Sequence, residues 1–329
     1  TLHVQPQRLV FTSGGTEANN LAVLGAARAK KRRGNHVITT QIEHPSVYEA
    51  CRALEGEGFE VTYLPVDGDG LVDPEAVRAA LRPETVLVSC MAVNNEVGAV
   101  EPVEEIARVI RETDPQILFH VDAIQGYGKY VFRPDRQGID LLSVSGHKVR
   151  APKGIGALYF AERVRLIPLV YGGEQQKGVR SGTENVPGIA AFGAAAKHAY
   201  DVLPEEHARL RALKNRLVAG LSELEGVRVH GRTGEDSAPH ITAAGFAGIR
   251  SEVLLHALED KGFYVSSGSA CSSRSPRPSR TLTAMGVPEE YLYSTLRFSM
   301  GEENEPEDVD GLLEALRVLL PQLRRFVRR

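Results

Sequence analysis

One apolar stretch constrains the fold of this chain more than any other feature. Residues Thr85–Ala92 (TVLVSCMA) form a continuous apolar run, which is typical of a central parallel strand buried on both faces. Shorter strand-like stretches, such as His36–Gln41 and Ile139–Val144, alternate with helical patterns along the preceding and following sequence. This alternation predicts an α/β fold with a mostly parallel sheet.

The pattern changes in the last third of the chain. A long amphipathic helix is expected from Pro204 to about Leu224, and short strands and helices follow it without the earlier regular alternation. A chain of 329 residues with 42% hydrophobic content is long enough for two cores. We therefore expect residues 1–205 to form a large domain and residues 206–329 a smaller α+β domain.

Composition excludes several classes of function. The net charge is −3 and no basic patch interleaved with aromatic residues occurs, so nucleic-acid binding has no support. No apolar run approaches the ~20 residues that cross a bilayer. The three cysteines, Cys51, Cys90 and Cys271, are widely spaced and form no C-x-x-C pair, which argues against a disulfide framework or a cysteine metal site. The expected compartment is the cytoplasm, and no metal is expected.

Polar residues follow several of the expected strands, at the edge where parallel sheets place their chemistry. Lys148 follows the strand Ile139–Val144, and a lysine in such a pocket can form a Schiff base with an aldehyde cofactor. Asp122 ends another strand, where a protonated pyridine nitrogen would supply the cation that a buried carboxylate needs. His44 lies just past a third strand end. The ordinary alternatives are a solvated loop lysine and a capping histidine.

Three further features suggest anion binding and a reactive thiol. Gly15 and Thr16 open a helix, where free N–H groups and the helix dipole favour a phosphate, although an ordinary turn and cap has the same sequence. Cys271 lies in a loop rich in serine, glycine, proline and arginine, and positive neighbours favour its thiolate form. Arg297, on a short strand, is suited to bidentate binding of a carboxylate.

The order of these features resembles fold-type-I enzymes dependent on pyridoxal 5′-phosphate (PLP), and nine motifs are similar to those of cysteine desulfurases of the NifS/IscS type in the class-V aminotransferase family. The motifs are FTSGGTEANN (Phe11–Asn20), EHPSV (Glu43–Val47), VNNEVG (Val93–Gly98), HVDAIQ (His120–Gln125), SGHK (Ser145–Lys148), PKGIGALY (Pro152–Tyr159), RSGTEN (Arg180–Asn185), SSGSACSS (Ser266–Ser273) and LRFSMG (Leu296–Gly301). The resemblance implies a large domain with a mostly parallel seven-stranded sheet and a smaller C-terminal α+β domain that carries the cysteine loop.

The resemblance also implies a role for each matching residue. Lys148 would hold PLP and move the substrate α-proton, Asp122 would pair with the pyridinium nitrogen, and His44 would stack on the ring and shuttle protons. Asn95 and Gln125 would bind the ring hydroxyl. The phosphate would be bound by Gly15, Thr16, Ser145, His147 and, from a second subunit, Thr183. The substrate would be bound by Asn95 and Arg297.

The implied reaction converts L-cysteine to L-alanine and leaves a persulfide on Cys271. The implied protein is a homodimer that passes sulfur to an iron–sulfur scaffold or another acceptor protein, or to transfer-RNA thiolation. Family members carry a D-N-A-A-T-T-like motif before the FTSG strand, and this sequence begins after that position.

Three alternatives remain from the residues. A selenocysteine lyase or cysteine sulfinate desulfinase would use the same scaffold but depends less on the loop cysteine, and a PLP aminotransferase does not need Cys271. A truncated, non-catalytic copy of the fold is the alternative from a different class, and the intact Lys148, Asp122, His44 and Cys271 argue against it.

Overall fold

The apolar run Thr85–Ala92 provides an interior strand of a large sheet. The computed structural model describes residues 1–267 and 278–325 and divides into two compact units, the first of which comprises residues 1–65, 72–93 and 101–203. Its sheet contains the strands β1 (Leu9–Thr12), β2 (His36–Thr40), β3 (Glu60–Leu64), β4 (Thr85–Met91), β5 (Leu118–Asp122), β6 (Leu141–Ser145) and β7 (Gly156–Phe160). Every residue of β2, β4, β5 and β6 is buried, as expected for strands covered on both faces.

The strand order is β1-β7-β6-β5-β4-β2-β3. All pairs from β3 through β6 are parallel, whereas β7 is antiparallel to both β6 and β1. The expected mostly parallel seven-stranded α/β sheet is confirmed. Because β2, β4, β5 and β6 run in the same direction, the residues that follow them are collected at one edge of the sheet.

Helices connect these strands. They are α1 (Gly15–Asn20), which continues through a π-helical turn (Leu21–Gly25) into α2 (Ala26–Lys30), then α3 (Pro45–Gly56), α4 (Pro74–Ala80), α5 (Val103–Thr113) and α6 (Val186–Asp201), with 3-10 turns at Pro6–Arg8, Gly146–Val149 and Gln175–Gly178. Several begin with local signals in the sequence. Asp73 caps α4 by accepting from Glu75 N, and Asn185 caps α6 by accepting from Gly188 N.

The second unit comprises residues 66–71, 94–100 and the chain from Pro204 onward, so two short segments from the first 205 residues pack with it. Its elements are α7 (Leu203–Ser222), β8 (Val227–His230), β9 (Ile241–Phe246), α8 (Ser251–Glu259), β10 (Ser266–Ser267), α9 (Arg280–Ala284), α10 (Glu289–Leu292), β11 (Thr295–Ser299) and α11 (Pro306–Arg324). The four strands form an antiparallel sheet in the order β10-β11-β9-β8. Leucines of α7, α8 and α11 pack on this sheet to form a separate core. None of the helices in the described ranges is both long and apolar enough to span a bilayer.

Candidate active site

The lysine turn lies at the carboxyl edge of the first unit's sheet. Strand β6 ends at Ser145, and the following 3-10 turn, Gly146–Val149, carries Lys148 with an exposed side chain. Gly146 is packed so closely against Ile155 that a Cβ would lie 2.8 Å from that side chain, and Arg150 ends the turn with a φ of 65°. The backbone around Lys148 is therefore tightly constrained, although its side chain is accessible.

Asp122 ends β5, the parallel neighbour of β6, and its carboxylate is 3% exposed. Ile124 N donates to one oxygen at 3.0 Å, and Asn19 Nδ2 donates to the other at 2.7 Å. Burial raises the pKa of Asp122, while these two donors and the nearby Lys148 oppose that rise. A carboxylate in this position is stabilised by a cation, such as a protonated ring nitrogen.

His44 belongs to the same hydrogen-bonded group. It is the N-cap of α3 and is half-buried, and its Nδ1 accepts from Ser46 N at 3.1 Å. Ser46 Oγ lies 2.8 Å from the same Nδ1, and Asn19 Nδ2 donates to Ser46 Oγ at 2.9 Å. The capping interpretation of His44 is thus correct as local structure. The same contacts connect His44 to Asp122 through Asn19 and Ser46, two residues to which the sequence analysis assigned no role.

The start of α1 lies close to the end of β6 and the lysine turn. Gly15 is buried, and a Cβ there would overlap Ile124 and lie 3.3 Å from Ser145 Cβ, so only glycine fits without a shift. Thr16 is exposed at the helix start, and Ser145 Oγ lies 2.8 Å from His147 Nδ1. The helix N-terminus, Ser145 and His147 are therefore neighbours, which is a donor set suited to a phosphate.

The RSGTEN segment is tied to the same helix by an ion pair. Arg180 Nε donates to Glu17 Oε1 at 2.9 Å, and Glu17 Oε2 accepts from Ser13 N at 2.7 Å. Burial opposes ionisation of Glu17, but the bonds to Arg180 and Ser13 lower its pKa overall. Thr183 lies in this segment and is exposed, and Gln125, after β5, is half-buried.

Two of the expected substrate residues lie in the second unit. Arg297 Nη1 donates to Asn95 O at 2.9 Å, and Arg297 Nη2 donates to Ser266 Oγ at 3.2 Å. These contacts orient the guanidinium within that unit. Cys271 lies outside the described residues.

Glu43, next to His44, is a third residue that the sequence analysis did not single out. It is 2% exposed, and its Oε1 accepts from Thr40 Oγ1 and Met91 N, both at 2.9 Å. Burial, reinforced by the charge of Asp122, raises its pKa from 4.5 to about 8. Glu43 is therefore mostly protonated at neutral pH. Within residues 1–267 and 278–325, no group of three or more His, Cys, Asp or Glu side chains could hold a metal ion.

Comparison with known proteins decides the family. The model of the class-V aminotransferase family matches residues 1–312. The chain belongs to the class-V aminotransferase family. A cysteine desulfurase IscS from Methanosarcina thermophila is 44% identical over 325 residues, which cover 99% of this chain and 80% of that protein. A cysteine desulfurase IscS from Clostridium botulinum (strain Hall) is 42% identical over 327 residues, covering 99% of this chain and 82% of that one.

A solved NifS-like protein has the same fold, with a TM-score of 0.91 and 36% identity over 98% of this chain and 85% of that one. The resemblance to cysteine desulfurases and the fold class are therefore confirmed. The cofactor of the family is PLP, and three features of the first unit fit it. They are the buried Asp122 suited to a ring cation, the helix start at Gly15 packed close to Ser145, and the accessible Lys148 in the turn that follows the adjacent strand β6.

Proposed function

We propose that this protein is a PLP-dependent cysteine desulfurase that converts L-cysteine to L-alanine and collects the sulfur as a persulfide on Cys271. The observation that carries the proposal is the placement of Asp122 at the end of β5 and of Lys148 in the turn that follows the adjacent parallel strand β6. The M. thermophila and C. botulinum relatives described above are both named cysteine desulfurase IscS, and each matches 99% of this chain.

When bound, PLP supplies an electron sink that stabilises negative charge at the substrate α-carbon. Asp122 would pair with the ring nitrogen and favour its protonated form, and the two N–H donors of Asp122 favour its ionised form against the effect of burial. Lys148 would hold the cofactor through Nζ, and the same amine, when free, would take the proton from the substrate α-carbon. His44 completes the catalytic set as the imidazole beside Asp122.

Phosphate binding is proposed for the helix start and the lysine turn. The donors come from Gly15, Thr16, Ser145 and His147, with Thr183 contributed by a second subunit of a homodimer. Gln125 and Asn95 are proposed to bond the ring hydroxyl. In the second unit, Arg297 is proposed to bind the substrate carboxylate, together with Asn95.

The sulfur step uses Cys271. Its thiolate attacks Sγ of the substrate, the substrate Cβ–Sγ bond breaks, and a new S–S bond forms on Cys271. The electron pair of the broken bond remains with the substrate carbon skeleton, which takes up protons and leaves as alanine. The balance is cysteine plus a thiol giving alanine plus a persulfide. We propose that an iron–sulfur scaffold or another acceptor protein in the cytoplasm then receives this sulfur.

Single-turnover reaction with L-cysteine tests the proposal. Wild type should release one alanine per active site and carry one persulfide, identified by mass spectrometry on the Cys271 peptide. Cys271→Ala should bind PLP normally but yield neither product, while Lys148→Ala should lose the covalently attached cofactor. Release of alanine by Cys271→Ala at the wild-type rate would refute a role for Cys271 and point to a lyase acting on selenocysteine or a sulfinate.

A further inference from the structure

We propose that Asn19 and Ser46 are positioning residues that hold neutral His44 with its proton on Nε2 and join it to Asp122. The role of His44 in the reaction rests on the proposed function. The position of the proton follows from the contacts of four residues, all of them in the first unit.

The orientation of the Asn19 side chain is set first. Asn19 Nδ2 donates to Asp122 Oδ2 at 2.7 Å, which is the orientation that a carboxylate facing a ring cation requires, because an ionised carboxylate only accepts hydrogen bonds. The same nitrogen lies 2.9 Å from Ser46 Oγ, which takes its second hydrogen. Asn19 is fully buried, and within the described ranges its Oδ1 has no hydrogen-bond partner. A rotated amide would place this oxygen against the Asp122 oxygen and lose the bond to it.

The Ser46 hydroxyl is oriented next. Its oxygen accepts from Asn19, and its single hydrogen is directed to His44 Nδ1, 2.8 Å away. The backbone N–H of Ser46 points to the same nitrogen at 3.1 Å. Nδ1 thus faces two donors and must accept. A neutral imidazole carries one proton, and in His44 that proton is therefore on Nε2.

The position of this proton determines which hydrogen bonds His44 can make during catalysis. With Nδ1 occupied as an acceptor, the ring presents an N–H through Nε2 and acts on the reacting groups as a neutral hydrogen-bond donor. A neutral imidazole held in one tautomer is a known way to polarise a substrate group. The hydrogen bonds that run from Asp122 through Asn19 and Ser46 to His44 form a relay. This relay makes the orientation of the Nε2 donor depend on Asp122, so Asp122, which is proposed to bind the ring nitrogen of PLP, also orients the His44 imidazole.

Nitrogen NMR tests the proton position directly. The protein is labelled with ¹⁵N in the imidazole rings, and His44 is assigned among the ten histidines by comparison with His44→Gln. In long-range ¹H–¹⁵N spectra near pH 8, recorded with and without PLP and without cysteine, Nδ1 should show the shift of an unprotonated nitrogen and Nε2 that of a protonated one. A protonated Nδ1 would overturn the proposal.

A matched pair of variants tests the relay. Ser46→Ala removes the hydroxyl but keeps the backbone donor, so the Nδ1 resonance should move, and Ser46→Thr should restore it. Asn19→Ala should move the same resonance, because the Ser46 hydroxyl is then no longer oriented. With PLP and cysteine, Ser46→Ala should lower kcat about tenfold with KM within twofold, as expected for one lost hydrogen bond that acts in the transition state.

Three outcomes decide against the relay. They are a Nδ1 resonance unchanged in Ser46→Ala, one unchanged in Asn19→Ala, and failure of Ser46→Thr to restore the wild-type spectrum. If Ser46→Ala did not fold, the wild-type spectrum and the Asn19→Ala and Ser46→Thr variants would still decide. Because the spectra need no cysteine, a protein with the expected tautomer that releases no alanine would refute the proposed function and leave the relay intact.

Discussion

The protonation of Glu43 leads to a pH-dependent prediction about stability. Its side chain is buried and its pKa is raised from 4.5 to about 8, by burial first and by the charge of Asp122 second. The substitution Glu43→Gln replaces a mostly neutral acid by a neutral amide of the same shape. The amide oxygen can still accept from Thr40 Oγ1 and Met91 N. The variant should therefore fold normally but lose the titration.

The sign follows from proton binding. Between pH 4.5 and 8 the folded wild type binds more protons at Glu43 than the unfolded chain does, so its stability falls as the pH rises. This stabilising contribution is fully present below pH 4.5 and is lost as the pH passes through about 8. At 1.36 kcal/mol per pKa unit, integration from about pH 5 to about pH 7 gives a loss of about 2.5 kcal/mol. The Glu43→Gln variant has no ionisable group at this position, so its free energy of unfolding should show no such loss.

The assay compares urea unfolding of cofactor-free wild type and Glu43→Gln at these two pH values. The free energy of unfolding of the variant minus that of wild type should increase by about 2.5 kcal/mol from the lower to the higher pH. Glu49→Gln, an exposed position on α3, serves as the matched control and should show no comparable increase. A difference that stays constant with pH would refute the protonated state of Glu43.

The remaining predictions concern packing and buried groups. Gly15→Ala should cost about 1–3 kcal/mol of stability and weaken PLP binding measured by absorbance titration, because the new Cβ overlaps Ile124; unchanged affinity would contradict the close fit. Burial raises the pKa of Cys51 to about 12 and that of Cys90 well above 9, so mass spectrometry after treatment of folded protein with a thiol reagent should find both unlabelled. Burial lowers the pKa of His120 to about 3, so stability should fall on acidification from about pH 6.5 to 4.5 by about 2 kcal/mol more in wild type than in His120→Gln, measured by denaturant unfolding.

The sequence predicted the first unit's sheet well because its strands are buried on both faces. The run Thr85–Ala92 corresponds to β4 at Thr85–Met91, and HVITTQ corresponds to β2 at His36–Thr40. Continuous apolar stretches bounded by polar turns can be recognised in the sequence without knowing which strands are neighbours in the sheet. The polar residues after these strands were therefore correctly placed at one sheet edge.

Predictions that depended on pairing were less accurate. The bounds of β10 were not predicted, and its pairing occurs at Ser266–Ser267, opposite Arg297 and Leu296 of β11. A two-residue edge strand is defined by its register with a neighbour and has no apolar pattern of its own. The π-helical turn at Leu21–Gly25, which interrupts the first helix, was not predicted either.

The network around Asp122 shows why part of the candidate site could not be predicted. Asn19 and Asp122 are 103 residues apart, and Ser46 is 27 residues from Asn19, so only the folded chain reveals their contacts. One feature of the local sequence did indicate a role for Asn19. Asn19 follows Gly15 by four residues in α1 and therefore lies on the same helix face as Gly15.

The two buried acids Asp122 and Glu43 differ in their expected protonation states. Burial is the largest influence on both acids and raises the pKa of each. At Asp122 two N–H donors and the nearby Lys148 oppose that rise, whereas at Glu43 the charge of Asp122 reinforces it, so Glu43 stays mostly protonated at neutral pH. If both ionised together, each would raise the energy of the other, because their charges interact across a desolvated interior. Protonation of Glu43 thus leaves Asp122 as the carboxylate available to a ring cation. On this argument, Glu43→Gln should preserve PLP affinity, whereas Asp122→Asn should weaken it strongly, and equal losses in the two variants would show that the site needs both charges.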